Sequence, residues 1–181
     1  MKKALVFLVI FIELFSLSFA VLAATNDIDL PVPTTGIKLK FINWTYNTKV
    51  LNIATDGNPS SGNNVTLWSW SNNQTQWWMN QNAGNDSHNT PCYRIAVYGF
   101  TYGYLGLNYN QATTKCTIYP FASNDPYDFR ILWYTGVHGY LIQLDERNLY
   151  LGASGGTFGS KCYWYPANSS YVNDWNVYAV A

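Results

Sequence analysis

Few residues in this chain could do covalent or metal chemistry. There are two histidines, His88 and His138, and three cysteines, Cys92, Cys116 and Cys162. His88 stands in an Asn-rich run and His138 between Gly136 and Gly139, so both read as solvated loop residues. No His/Cys cluster has metal-ligand spacing, and no local signature couples a cysteine to a histidine for nucleophilic attack. Asp125, Asp128, Asp145, Glu146 and Asp174 could pair as the two carboxylates of a glycosidase. Asp128 and Asp174, however, each precede a large aromatic, Phe129 and Trp175, which reads as a shared structural role at a turn. The sequence therefore points away from an enzyme, and neither a cofactor nor a metal is expected.

What the chain offers instead is rings and amides. Its 181 residues include 8 Trp, 15 Tyr and 9 Phe, more aromatic surface than one core can hold. Some rings should therefore lie exposed or in grooves, and exposed Trp or Tyr beside neutral amides suits a neutral hydroxylated ligand. Only 11% of residues are charged, with 10 basic against 10 acidic. Phosphate binding needs clustered Lys and Arg, so nucleic acid is a poor candidate partner.

Residues 1–24 read as a signal peptide. Met1-Lys2-Lys3 precedes an apolar run from Ala4 to Phe19, then small residues at Ala20, Ala23 and Ala24. Glu13 within the apolar run argues against a permanent membrane span. The expected location is secreted, either extracellular or periplasmic, where disulfides form. With three cysteines one thiol is left over. The favoured pair is Cys92 with Cys116, which would close a hairpin-sized loop; Cys116 and Cys162 are expected to lie apart.

Those two cysteines occupy equivalent places in an internal repeat. Lys115-Cys116-Thr117-Ile118-Tyr119-Pro120 returns, 46 positions on, as Lys161-Cys162-Tyr163-Trp164-Tyr165-Pro166. Tyr104-Leu105-Gly106 and Tyr150-Leu151-Gly152 stand eleven residues before the two lysines, and Phe129 and Trp175 ten residues after the second tyrosines. A degenerate first copy has Val50-Leu51-Asn52-Ile53, Val65-Thr66-Leu67-Trp68 and Trp78, with a loop from Asn52 to Val65 that is three residues longer. Insertions are tolerated in such loops. Period-two alternation, as in Ile37-Lys38-Leu39-Lys40-Phe41, and recurrent turn residues make the chain all-β with about twelve short strands. Three copies should fill 37–181 as repeats 37–90, 91–136 and 137–181, closed into a barrel after an extended tail, 25–36. Gln81 to Thr90 reads as a surface loop.

The order Val-x-Leu-Trp, then Gln76-Trp77-Trp78, resembles the ricin B-type β-trefoil lectins, and the resemblance covers nearly the whole of 37–181. The other copies read Tyr127-Asp128-Phe129 and Asn173-Asp174-Trp175 in place of Gln-x-Trp. The resemblance implies a β-trefoil with Trp78, Phe129 and Trp175 in the core beside Leu51, Leu105 and Leu151. It also implies a sugar pocket per repeat, built from an acid, a stacking aromatic and an amide. The acid falls at Asn52, Gly106 and Gly152, so none is acidic. The aromatic falls at Trp68, Tyr119 and Tyr165, and the amide at Gln76, Tyr127 and Asn173. The expected function is glycan binding on a cell surface through Asn52, Trp68, Gln76, Tyr119, Tyr165 and Asn173, best preserved in the first copy. The alternative is the targeting subunit of a secreted bacterial toxin, because the chain is also similar to the trefoil subunits of cytolethal distending toxin; a catalytic toxin subunit would then be its partner. A trefoil protease inhibitor is a third class, but neither long loop carries a mark of an inhibitory site.

Overall fold

A computed structural model describes residues 31–100, 105–121 and 129–181 of the chain. The expected signal peptide, Asp125, Tyr127 and Asp128 lie outside the described residues. Twelve strands follow in order: β1 (Leu39–Asn43), β2 (Lys49–Ile53), β3 (Val65–Ser69), β4 (Trp78–Asn85), β5 (Pro91–Val97), β6 (Leu105–Tyr109), β7 (Cys116–Pro120), β8 (Ile131–Thr135), β9 (Tyr140–Leu144), β10 (Leu149–Ala153), β11 (Cys162–Pro166) and β12 (Trp175–Ala179). Among the described residues the only helical element is one 3-10 turn at Gln74–Gln76, and no helix is long and apolar enough to cross a membrane.

Six strands close into a barrel. Within each repeat the first strand pairs with the fourth, at Leu39↔Trp78, Tyr93↔Ile131 and Tyr140↔Trp175. Between repeats β4 pairs with β5, β8 with β9, and β12 with β1. The ring leaves no free edge among these six, which removes the usual site of edge-to-edge association. The other six strands form three hairpins, β2–β3, β6–β7 and β10–β11.

The hairpins join one another in a cyclic pattern. Leu67 N–H donates to Ser160 C=O at 2.8 Å, Ile118 N–H to Asn63 C=O at 3.0 Å, and Trp164 N–H to Thr114 C=O at 2.9 Å. Donors and acceptors are each repeat-equivalent, so this is a pseudo-threefold cap. The all-β trefoil architecture expected from the repeats is what the chain adopts.

Trp78 and Trp175 are fully buried within the main apolar cluster, with Leu51, Leu105 and Leu151. Their indole N–H groups donate to Leu51 C=O at 3.0 Å and Leu151 C=O at 3.4 Å, the same bond in two repeats. Each ring stabilises the fold by about 1.5–3 kcal/mol through burial, and the bond removes the cost of an unpaired buried N–H. Phe129 is 1% exposed but has no N–H to offer, and it packs edge-on to Phe121, centroids 5.5 Å apart.

Two sequence expectations need correcting. The first half of the stretch 81–90 is a strand: β4 runs to Asn85 and pairs with β5 through a register shift between Asn82 and Asn85. Buried Asn80 fixes β4 by donating to Pro33 C=O at 2.7 Å, while Thr35 pairs alongside it, so polar side chains here decorate a barrel strand. Only the turn 86–90 is loop; Asp86 Oδ1 accepts from Thr90 N at 2.6 Å and His88 N at 2.8 Å, and the Thr90 bond first of all holds its carboxyl below the usual range.

The second correction concerns the cysteines. The Cys92–Cys116 bridge is not formed, and all three residues are buried thiols. Cys92 sits in β5 beside the Arg130 guanidinium, whose Nη2 is 3.4 Å from its sulfur. Cys116 instead faces Cys162, because equivalent positions at the start of β7 and β11 meet at the pseudo-threefold axis rather than lying apart.

Candidate functional site

The β2–β3 hairpin sets Asn52 opposite Thr66 and Val50 opposite Trp68. Alternation along β3 sends Val65 and Leu67 into the core, leaving Thr66 and Trp68 on the outer face. Thr66 is nevertheless covered, whereas Trp68 is 44% exposed. Its ring leans on Phe158 from the third repeat, centroids 5.3 Å apart, and Lys49 Nζ sits 3.7 Å from the Phe158 centroid.

Trp68 forms one wall of an open cavity of about 660 Å³, within the usual range for small-ligand sites. The long β2–β3 loop supplies Asp56 and Asn58, the 3-10 turn supplies Gln74 and Thr75, and the third repeat supplies Gly159 and Lys161. The cavity is thus a seam between the first repeat and the third.

Asn52 lies at its floor, 8% exposed, with its amide largely engaged. Its Oδ1 accepts from Thr75 Oγ1 at 2.9 Å, and its Nδ2 donates to Ile53 C=O at 3.0 Å and Thr66 Oγ1 at 3.3 Å. One acceptor lone pair is what an amide so placed still offers. By contrast, the side chains of Asp56, Asn58, Gln74 and Lys161 make no hydrogen bond or ion pair with described residues. Asp56, Asn58 and Gln74 were missed in the sequence because they lie outside the repeat pattern, and Lys161, which recurs with Lys115, because it comes from a neighbouring repeat; the loop's extra length was the available signal.

Gln76 is fully buried and does not reach the cavity. Its Oε1 accepts from Ser71 N at 2.8 Å and Ser71 Oγ at 3.1 Å, and its Nε2 donates to Ser69 C=O at 2.7 Å. Asn173, its counterpart in the third repeat, is 4% exposed. Its Oδ1 accepts from Ala153 N at 2.8 Å and Asn43 Nδ2 at 3.0 Å, and its Nδ2 donates to Thr45 Oγ1 at 3.4 Å. Both amides tie the chain leading into a core tryptophan to its neighbours.

The places equivalent to Asn52 in the other repeats are closed by the chain itself. A Cβ on Gly106 would stand 2.2 Å from the Phe121 ring and 2.7 Å from Ile95 C=O. Tyr119, directly opposite Gly106, is 40% exposed beside the filled position. A Cβ on Gly152 would stand 1.9 Å from Tyr171 C=O, because Gly152 pairs with Val172 and the backbone crosses directly over it. Tyr165 is only half-buried but packs against Tyr163 and Tyr171, centroids 5.9 and 5.4 Å away, and partial burial raises its hydroxyl pKa. The structure thus brings Asn52 and Trp68 together in one cavity and leaves Gln76, Tyr119, Tyr165 and Asn173 outside it.

Among the described residues the candidate carboxylates are held in separate structural contacts. Asp145 is buried against Arg130, Nη2 to Oδ2 2.9 Å. Asp174 Oδ2 accepts from His138 N at 2.8 Å, and its C=O accepts from Trp44 N at 2.9 Å. His138 is exposed, as expected, and stacks on the exposed Trp44 with centroids 4.6 Å apart.

No family model and no curated sequence matches the chain. Solved structures do. The chain is similar to a mosquitocidal holotoxin, with TM-score 0.67 and 16% identity over 84% of this chain and 18% of that one. It is similar to the Rhizoctonia solani agglutinin, with TM-score 0.61 and 13% identity over 83% of this chain and 100% of that one. It is also similar to the β-trefoil lectin of the Vibrio vulnificus hemolysin/cytolysin, solved with N-acetyl-D-lactosamine bound, with TM-score 0.54 and 17% identity over 80% and 96%. At these identities the likeness establishes the β-trefoil fold.

Proposed function

We propose that this chain is a secreted carbohydrate-binding β-trefoil with one glycan site, in the first repeat. One observation carries the reading: a half-exposed Trp68 ring borders a cavity whose rim holds the unengaged side chains of Asp56, Asn58 and Gln74. A sugar needs an apolar platform for its C–H face and donors and acceptors for its hydroxyls, and these groups are of those two kinds. Asp56 offers the charged acceptor that position 52 lacks, four residues along the lengthened loop. A carboxylate bonds a hydroxyl more strongly than an amide does. The lectin neighbours support the same reading through their fold.

The test is a glycan array followed by calorimetric titration of the best ligand. The expected result is saturable binding of one oligosaccharide per chain. A stoichiometry of three would mean that the second and third repeats also bind, and an array without any ligand would sink the reading.

A targeting role within a toxin is the second reading, favoured by the likeness to a segment covering 18% of a mosquitocidal holotoxin chain. It uses the same site and adds a catalytic partner. Co-purification of an enzymatic chain with this one from its native source separates it from a free lectin. Secretion is part of the same proposal, resting on the basic-then-apolar order of the first 24 residues, and the mass of the exported product checks it.

A further inference from the structure

The cap brings two thiols face to face. Lys115 is the antiparallel partner of Tyr163. Antiparallel register advances one residue on one strand for each residue back on the other, so Cys116 stands opposite Cys162. By the same step, Asn64↔Thr117 and Thr66↔Lys161 set Val65 opposite both cysteines. The three side chains hold one place in the three repeats and meet on the pseudo-threefold axis.

Directly opposed antiparallel residues point to the same face with Cα atoms about 4.5–5.5 Å apart, inside the range of about 4.4–6.8 Å that a disulfide spans. Both cysteines are 0% exposed and belong to the apolar core, and neither thiol has a hydrogen-bond partner among the described residues. Cys92, in barrel strand β5, stands apart from them beside Arg130.

We propose that Cys116 and Cys162 form a disulfide when the chain folds in an oxidising medium, tying the second repeat to the third across the axis and leaving Cys92 as the thiol. Each sulfur gives up its hydrogen, and a new Sγ–Sγ bond forms. The two electrons and two protons pass to an oxidised disulfide such as oxidised glutathione, which leaves as two thiols. Exchange begins with a thiolate. Burial holds both thiols protonated in the folded cap, and Cys162 adds to the effect on Cys116. The bond therefore forms before the cap closes, and the folded, reduced protein is inert. The proposal is independent of what the chain binds.

The experiment refolds the full chain from denaturant in a buffer of oxidised and reduced glutathione, with alkylation and non-reducing peptide mapping by mass spectrometry. The expected product is a peptide pair linked through Cys116 and Cys162 with Cys92 alkylated, and the same linkage in Cys92→Ser. A parallel sample refolded with reductant, then exposed to oxidised glutathione while native, should stay unlinked. The bridge closes a loop of nearly fifty residues, so the oxidised form should melt on the order of 5–10 °C above the reduced one. A linkage involving Cys92 in the wild type, or recovery of Cys116 and Cys162 as alkylated thiols after oxidative refolding to a cooperative melt, would overturn the proposal.

Discussion

Replacing Trp68 with Ala tests the glycan site most directly, and its magnitude follows from the geometry. A tryptophan presents up to about 250 Å², and 44% of Trp68 is exposed, so roughly 110 Å² is open. A pyranose stacked on one side would cover about half of that. At about 25 cal/mol per Å² the stacking is worth about 1.4 kcal/mol, or about a tenfold change in Kd. Calorimetry with the oligosaccharide chosen by the array should show that loss for Trp68→Ala. Tyr165→Ala should bind as the wild type does, since Tyr165 lies outside the cavity. The melting temperature of Trp68→Ala should stay close to that of the wild type, because the ring caps the hairpin without entering the core. Unchanged affinity in a folded Trp68→Ala protein would refute the stacking argument, as would an equal loss in Tyr165→Ala.

The other predictions concern the groups that surround or imitate the site. Asp56→Asn should weaken binding by roughly three- to tenfold, as a charge-assisted bond becomes a neutral one, with no change in thermal stability. Gly152→Ala sets a methyl 1.9 Å from Tyr171 C=O, so it should cost about 1–3 kcal/mol of stability, read by denaturant titration, without altering glycan affinity. Arg130→Met strands the buried Asp145 carboxylate and should lose about 3–5 kcal/mol at neutral pH, most of it recovered in the double variant with Asp145→Asn. The pH dependence has a definite sign. Burial outweighs the Arg130 guanidinium and raises the Asp145 pKa above 3.8. The folded chain thus keeps a proton that the unfolded chain has released, and this group's contribution falls as pH climbs from 3.8 through the folded value. Melting curves across that range should show the fall extending to higher pH in Arg130→Met, where the guanidinium's pull is gone.

The architecture was legible because the residues that build it recur at fixed spacing. Leu51 and Leu151 meet the tryptophan ten residues beyond the cap strand, the same indole bond in two repeats, and Leu105 and Phe129 are buried at the equivalent places. Strand β4 was hidden by its composition: Asn80, Asn82 and Asn85 look like loop residues, and only tertiary pairing with β5 and the buried contact of Asn80 with Pro33 make them a strand. The cysteine error came from treating equivalent positions as distant. That holds for residues on the barrel wall and fails for residues at the axis, where threefold equivalents touch. The site was half legible for a similar reason. Asn52 and Trp68 sit on the repeated hairpin, so alignment found them. Asp56, Asn58 and Lys161 come from an irregular loop and a neighbouring repeat, which no repeat pattern brings together.

The two glycines explain why one repeat differs from the others. Position 52 and its equivalents face outward, so the fold does not require any particular side chain there. Where the residue is glycine, the missing Cβ lets the chain's own atoms move in: the Phe121 ring over Gly106, the Tyr171 carbonyl over Gly152. Where it is Asn52, the side chain holds the floor, and the lengthened loop stands away to leave the cavity open. If this is the cause, reopening a closed copy needs removal of the filler as well as a new acid. Gly106→Asp alone should destabilise the chain, because its Cβ meets Phe121 and the Ile95 carbonyl. Phe121→Ala should relieve only the first of these contacts. The double variant should therefore recover part of the lost stability without gaining a second glycan site. A calorimetric stoichiometry that rises above one in the double variant would show that the filler ring alone had kept the second repeat silent.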